Sequence, residues 1–193
     1  IYDIIYKNLT DLNKILTYNI KNSIHFYRLT SHLIPLADHK DVNFDYKNKF
    51  SSEFIQLSKL INNNHMRIDL HPNQFAVLNS IKKEVVENTF RILKYQYDLL
   101  ELLKIKNKVI ILHIGSNTFG KKKSIARFIK NFSLLPNNIK KCIAIENDDK
   151  VFNILDTLEI SKKLNIPMVL DYHHHICNHD NINIKEYYQE IFN

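Results

Sequence analysis

The chain alternates between short apolar runs and longer segments in which apolar residues recur at helical spacing. Nearly continuous apolar runs are typical of strands buried in a parallel sheet, and the longer segments are typical of the helices that cover it. The predicted strands are Ile24 to Leu29, Met66 to Leu70, Val109 to Ile114, Cys142 to Ile145 and Pro167 to Leu170. Helices are predicted over about residues 8 to 21, 51 to 62, 80 to 105, 122 to 133, 150 to 164 and 184 to 192. This pattern predicts an α/β fold of about five βα units, and the short connections between its elements predict a single domain over residues 1–193.

Composition and charge narrow the function classes. The 27 Lys and Arg residues exceed the 20 Asp and Glu residues, which permits a polyanionic partner without requiring one. The only glycines are Gly115 and Gly120, so neither a dinucleotide fingerprint nor a phosphate-binding P-loop can be written, and we expect no nucleotide cofactor. No apolar run approaches the roughly 18 residues of a membrane span. Cys142 and Cys177 lack disulfide or metal spacing, so an intracellular protein is expected, cytoplasmic or nucleoid-associated.

Side chains of metal-ligand type recur where the predicted strands end. Arg28 closes the first strand and His39 lies in the loop after it. Asp69 and His71 close the second strand, His113 the third and Glu146 the fourth, and Asp171 opens the segment Asp-Tyr-His-His-His after the fifth. The carboxyl ends of parallel strands share one face of a barrel, so these side chains are expected to converge there. Histidine and carboxylate ligands without cysteine suit zinc, manganese or iron, and their number predicts two or three ions. Such a cluster favours phosphoester hydrolysis.

Structural roles compete with each of these assignments. A single histidine at a strand end is more often a hydrogen-bonded structural residue than a ligand, and the recurrence is what favours metal binding. Asp148 and Asp149 are predicted to cap a helix that starts near Lys150, because acidic side chains accept hydrogen bonds from free amides at a helix start. The lysines at 121–123 fit either a solvated helix start or a contact to phosphate.

Five motifs together resemble the UV damage endonuclease family. They are Tyr-Arg-Leu-Thr-Ser-His-Leu-Ile-Pro at 27–35 with His39, Leu-His-Pro-Asn-Gln-Phe-Ala-Val-Leu at 70–78, Leu-His-Ile-Gly at 112–115, Ala-Ile-Glu-Asn-Asp-Asp at 144–149 and Leu-Asp-Tyr-His-His at 170–174. The resemblance covers nearly the whole chain, in the family's order. It implies a partial (β/α)₈ TIM barrel, a parallel sheet with outer helices, from an enzyme that nicks damaged double-stranded DNA on the 5′ side of UV photoproducts.

The resemblance also implies roles for individual residues. The metal ligands would be His71, His113, Glu146, Asp171 and His174. They would hold two or three divalent ions, and Glu146 would bridge two of them. Manganese is the expected metal, with zinc or magnesium as alternatives. His39 would lie near the metals and the scissile phosphate, and with Lys121, which is predicted from its position beside the site, and Glu146 it completes the expected catalytic set. Gln74 and Phe75 match the pair that probes the duplex opposite the damage, where an aromatic ring can replace lost base stacking. The further DNA contacts would be Asn73, Arg28 and Lys122.

Three positions depart from the family pattern without removing a ligand. Asn73 stands where the family usually has glycine, Phe75 where it often has tyrosine, and Ser116 where it has a second glycine. The resemblance also places the family's first strand before Ile1, and a Lys-x-His motif and a last glutamate ligand after Asn193. The expectation is therefore the central portion of a monomeric barrel enzyme with both ends missing, and this portion by itself is expected to be inactive or nearly so.

Other function classes stay open from the sequence alone. The same xylose-isomerase-like barrel serves abasic-site endonucleases and sugar isomerases, because a fold does not determine a substrate. A non-catalytic DNA-binding derivative is another alternative, since ligands of the family pattern lie outside these residues. The His-Pro-Asn-Gln-Phe segment and the excess of basic residues favour damaged DNA over a sugar.

Overall fold

A computed structural model describes residues 1–192 of the chain, in which helices alternate with short strands. The first half contains α1 (Tyr2–Lys21), β1 (Phe26–Leu29), α2 (Tyr46–Lys49), α3 (Ser51–Asn63), β2 (Arg67–Leu70) and α4 (Lys83–Leu102). The second half contains β3 (Ile110–His113), α5 (Lys121–Ser133), α6 (Asn137–Lys140), β4 (Ile143–Glu146), α7 (Ile154–Leu164), β5 (Met168–Val169), α8 (Tyr172–Cys177), a 3₁₀ helix (Ile184–Tyr187) and α9 (Tyr188–Phe192). All five predicted strands are present, with bounds shifted by a few residues.

The strands form one five-stranded sheet in the order β1-β2-β3-β4-β5, which is also their order along the chain. β1 pairs with β2 in parallel from Phe26 opposite Arg67 to Leu29 opposite Leu70. β4 pairs with β5 in parallel, with Glu146 opposite Val169. A helix lies between each strand and the next, as parallel neighbours require. The predicted α/β class with a parallel sheet is confirmed.

The described residues fall into two compact units, and the first comprises residues 1–71 and 91–110. Its core contains one stripe of α1, namely Ile5, Leu9, Leu12 and Leu16, which recur at the helical period and are at most 3% exposed. On α4, the Tyr95 hydroxyl accepts a hydrogen bond from the Ile34 backbone N–H at 3.0 Å. That bond attaches the loop after β1 to α4.

The prediction that residues 1–193 form a single domain stays a prediction.

The second unit comprises residues 72–90 and 111–193, and is described to residue 192. Its core includes β4 and the buried rings of Phe128 and Phe152. α7 begins with a capping box, in which the Asn153 side chain accepts from the N–H groups of Leu155 and Asp156. Within residues 1–192, no helix combines the length and the apolar character needed to cross a membrane.

The predicted helix start near Lys150 is wrong, and so are the capping roles of Asp148 and Asp149. The helix begins at Ile154 and its cap is Asn153. The Asp148 carboxylate instead accepts hydrogen bonds from the N–H groups of residues 150, 151 and 152, so it closes a turn before the helix. Asp148 therefore accepts hydrogen bonds from backbone amides, as predicted, but in a turn and not at a helix start.

Candidate metal centre

Four of the predicted metal ligands lie together in the second unit, at the carboxyl ends of β3, β4 and β5. His113 and Glu146 are the last residues of β3 and β4, Asp171 follows β5, and His174 lies in the first turn of α8. His113 Nε2 is 3.3 Å from Glu146 Oε2, and the rings of His113 and His174 are 5.4 Å apart. Glu146, Asp171 and His174 each offer a ligand atom, and these atoms lie within 4.8 Å of one another. Spacing of this kind allows several side chains to share one ion.

The chemistry of this donor set fits a divalent cation. The Glu146 side chain is 5% exposed, whereas those of His113, Asp171 and His174 are 29%, 31% and 26% exposed. Burying a carboxylate is costly unless positive charge or hydrogen-bond donors compensate it. Two imidazoles and two carboxylates without a thiolate suit manganese or zinc. The arrangement is therefore consistent with a metal site that has one buried and one partly exposed carboxylate.

Asn147, which the sequence analysis did not single out, connects two of these candidate ligands. It is 0% exposed, and its side-chain amide pairs with the Asp171 backbone: Nδ2 donates to the Asp171 carbonyl and Oδ1 accepts from the Asp171 N–H, both at 2.9 Å. The Asn147 carbonyl lies 2.9 Å from His174 Nδ1. A carbonyl only accepts, so Nδ1 carries the proton and Nε2 keeps its lone pair for a metal. Only its position beside Glu146 hinted at this role in the sequence.

Asp171 is also a helix cap. Its side chain accepts a hydrogen bond from the His174 N–H at 2.8 Å, which fixes the start of α8. The bond uses Oδ1, while Oδ2 lies 3.6 Å from His174 Nδ1. One short helix therefore brings Asp171 and His174 to the same side of the sheet end.

The first unit contains three further predicted site residues, which lie on β1, in the loop after it and directly after β2. His71 directly follows β2 and is partly buried. Arg28 on β1 makes two hydrogen bonds of 3.1 Å to Asp69 on β2, and Asp69 is 2% exposed. His39 is exposed in the loop after β1, where its Nδ1 accepts from the Asp41 N–H at 3.2 Å. The Arg28 guanidinium thus stabilises a buried carboxylate with two of its nitrogens.

A turn after β2 exposes the predicted probing pair. Asn73 Oδ1 accepts from the Phe75 N–H at 2.9 Å, and the Asn73 carbonyl accepts from the Ala76 N–H at 3.0 Å. Gln74 is exposed and the Phe75 side chain is 68% exposed. Both line a cleft of about 370 Å³ with Val77, Glu84, Val85 and Asn88. Asparagine in place of glycine therefore still forms the turn, through its side chain.

The two predicted lysines of the site differ in their surroundings. Lys121 forms an ion pair with Asp156 at 2.6 Å, and Asp156 also belongs to the capping box of α7. Lys122 is exposed and makes no ion pair within residues 1–192. Lys122 is therefore available to a phosphate, whereas Lys121 would first have to leave Asp156.

Comparison with known proteins identifies the family. The model of the family "UV-endonuclease UvdE" matches residues 1–193. A UV DNA damage endonuclease of Bacillus cereus (strain B4264) is 40% identical over 179 residues, which are 92% of this chain and 56% of the relative. The enzyme of the same name from Clostridium perfringens (strain 13 / Type A) is 40% identical over 188 residues, 96% of this chain and 45% of the relative. The chain thus spans about half the length of these relatives.

Solved structures agree with that assignment. The crystal structure of SacUVDE matches with a TM-score of 0.94 and 39% identity, over 99% of this chain and 66% of that one. A D-psicose 3-epimerase from Clostridium cellulolyticum H10 matches with a TM-score of 0.64 at 14% identity, over 89% of this chain and 62% of that one. At this identity the match shows only that the two chains share the TIM-barrel fold. The predicted partial barrel is confirmed by both matches. The family model, the curated relatives and the SacUVDE structure agree, and the chain belongs to the UV-endonuclease UvdE family.

Proposed function

We propose that the full-length protein nicks DNA on the 5′ side of UV photoproducts by metal-assisted hydrolysis of a phosphodiester. Membership of the UvdE family supports a DNA repair endonuclease. The convergence of His113, Glu146, Asp171 and His174 at three neighbouring strand ends is the observation that carries the metal-assisted chemistry. Substrate, cleavage position and metal dependence are all parts of this proposal.

The four side chains of the second unit would hold the divalent ions, with Glu146 as the bridging ligand. Glu146 suits that role because its Oε2 is 3.3 Å from His113 Nε2 and because it also shares a ligand group with Asp171 and His174. A carboxylate can bridge two ions, since each oxygen can serve a different one. The family resemblance adds His71 as a further ligand, and that assignment remains part of the proposal.

A bound divalent ion would supply Lewis-acid stabilisation of the charge that develops on the phosphodiester and would lower the pKa of the attacking water. Asn147 keeps the His174 proton on Nδ1 and positions the Asp171 backbone, so both ligands are oriented before an ion arrives. His39 would contact the scissile phosphate. Lys121 would do so only after it leaves Asp156.

Recognition of damage would lie with the probing loop. Phe75 and Gln74 are exposed at a turn that Asn73 fixes, so the loop can enter a duplex without first refolding. A photodimer stacks poorly and pairs weakly, so opening the duplex costs less at the lesion than elsewhere. Lys122 and Arg28 would contact phosphate.

The test is nicking of a duplex oligonucleotide that contains one thymine photodimer, with manganese, by the full-length protein and its Glu146→Gln variant. Gln keeps the size of the side chain but removes the charge that holds the ions. We expect cleavage 5′ to the dimer by the unsubstituted protein and at least about 100-fold slower cleavage by the variant, in line with loss of a catalytic metal ligand.

Glu159→Gln is the matched control, because Glu159 is an exposed glutamate on α7 in the same unit, 55% exposed at its side chain. It should cleave like the unsubstituted protein. Addition of a chelator should abolish cleavage, and manganese should restore it. Lesion-dependent cleavage that persists in Glu146→Gln or in excess chelator would refute the metal-assisted mechanism. Absence of lesion-dependent cleavage by the unsubstituted protein would refute the proposed substrate.

A further inference from the structure

A second exposed aromatic side chain lies in the loop that follows the candidate metal ligand His113. Phe119 is 70% exposed and lies six residues after His113, in the loop from β3 to α5. Its φ is 65°, in the left-handed region that residues other than glycine rarely adopt. The loop therefore keeps a large apolar ring in solvent at a backbone angle that costs free energy, which is typical of functional loops.

Hydrogen bonds on both sides keep this conformation in place. The Gly120 N–H donates to the Asn117 carbonyl at 3.0 Å. The Thr118 carbonyl, directly before Phe119, accepts from Arg127 Nη2 at 2.6 Å and from Ser124 Oγ at 3.1 Å. Phe119 is thus exposed on a loop whose backbone is held by hydrogen bonds. Binding of a ligand to this loop would therefore cost little conformational entropy.

The same arginine connects this loop to the one that contains Gln74 and Phe75. Arg127 Nε donates to the Asn79 carbonyl at 2.8 Å, while the Asn79 side chain donates to the Ser116 carbonyl at 2.7 Å and accepts from the Ser116 N–H at 3.0 Å. Asn79 is 0% exposed. The two loops with exposed phenylalanines, both in the second unit, are therefore held together by hydrogen bonds centred on the buried Asn79.

The charge around Phe119 favours nucleic acid over an apolar partner. Residues 114–127 contain Lys121, Lys122, Lys123 and Arg127 and no acidic residue. Lys122 and Lys123 are exposed and make no ion pair within the described chain. An aromatic ring beside exposed lysines suits a nucleic acid, because the ring can stack on a nucleobase and the lysines can pair with the negatively charged phosphates.

We propose that Phe119 is a second DNA-stacking side chain, which stacks on an unpaired nucleobase at the lesion while Lys122 and Lys123 contact the neighbouring phosphates. The inference rests on the proposed function and extends it. Phe75 and Phe119 would then engage the opened duplex at two places, from two loops that Arg127 and Asn79 keep in register. Damaged DNA, in which bases already lack stacking and pairing partners, would gain most from the second ring.

The experiment compares binding of the full-length protein to a duplex with one photodimer and to the same duplex undamaged. Phe119→Ala should weaken binding of the damaged duplex about 5- to 100-fold, the usual effect of removing one base-stacking ring. Phe119→Tyr should bind within about twofold, because tyrosine also stacks. Leu134→Ala is the control: Leu134 is 64% exposed in the same unit, and its loss should leave binding unchanged.

Phe119→Trp reports stacking directly. The 193 residues contain no tryptophan, and the unsubstituted full-length protein supplies the background from any tryptophan elsewhere. We expect its emission to be quenched by the damaged duplex and little affected by the undamaged one. If Phe119→Ala binds the damaged duplex with normal affinity, the inference is overturned. Weakened binding by Phe119→Ala without quenching of the Phe119→Trp emission would also overturn it, because the loop would then have only a structural role. If the unsubstituted protein neither prefers nor nicks damaged DNA, the proposed function fails instead.

Discussion

Replacing Asn147 by alanine should weaken metal binding more than it weakens the fold. The substitution removes two hydrogen bonds of 2.9 Å to the Asp171 backbone from a side chain that is 0% exposed. At about 0.5–1.5 kcal/mol for each bond, the free energy of unfolding should fall by about 1–3 kcal/mol. Loss of a residue that orients metal ligands typically lowers metal affinity by about 10- to 100-fold. A chain with a largely intact fold and a weakened metal centre is therefore expected.

The assay is calorimetric titration of the metal-free protein with Mn²⁺, together with urea unfolding of the same samples. Asn153→Ala is the matched control, because Asn153 is also a buried asparagine of the second unit but caps α7 instead of pairing with Asp171. Loss of that cap should cost about 0.5–2 kcal/mol of stability and leave Mn²⁺ affinity unchanged. Equal Mn²⁺ affinity of the unsubstituted protein and Asn147→Ala would refute the orienting role. Equal losses of affinity in both variants would assign the effect to general destabilisation.

Three other substitutions test the fold. Gln96→Met should raise the free energy of unfolding in urea by about 1–3 kcal/mol, because Gln96 is 0% exposed and neither of its amide atoms has a hydrogen-bond partner within residues 1–192. A lower free energy of unfolding in the variant would contradict this prediction. Gly115→Ala should destabilise the protein by at least about 2 kcal/mol more than Gly120→Ala in thermal unfolding. Both glycines have positive φ, but an added Cβ at residue 115 would lie 2.5 Å from Asn79 Oδ1, whereas a Cβ at residue 120 meets nothing within 4 Å. Burial and the charge of Asp98 raise the pKa of Tyr46 from 10.0 to about 12, so its contribution to stability is complete below pH 10 and is lost as the pH rises toward 12. Tyr46→Phe should therefore lose less stability than the unsubstituted protein over that range, and parallel pH profiles would contradict the assignment.

The sheet could be predicted from the sequence because five apolar runs separated by amphipathic segments leave few alternatives to parallel βα units. The bounds were less certain for local reasons. The fourth apolar run ends at Ile145, but Glu146 still pairs with Val169, so the strand includes its first polar residue. The short helices α2, α6 and α8 were not predicted, since four to six residues are too few for a helical pattern to emerge.

Four of the candidate ligands could be predicted to meet, because the carboxyl ends of neighbouring strands share an edge and His113, Glu146, Asp171 and His174 all lie there. Their fixation could not be predicted. The amide of Asn147 faces the backbone of Asp171, a residue 24 positions away, and no local pattern marks that pairing. The ion pair of Lys121 with Asp156 likewise joins two helices whose contact the sequence does not reveal.

The agreement between strand order in the sheet and strand order in the chain has a consequence for biosynthesis. Each strand that leaves the ribosome finds its neighbour already made, so the sheet can grow at one edge during translation. The candidate ligands appear in the sequence His113, Glu146, Asp171 and His174, and a nascent chain that stops before β5 has only the first two. The proposed ion site at this edge is therefore complete only once His174 has been synthesised, and a chain arrested before residue 171 would lack two of the four side chains proposed to hold the ion.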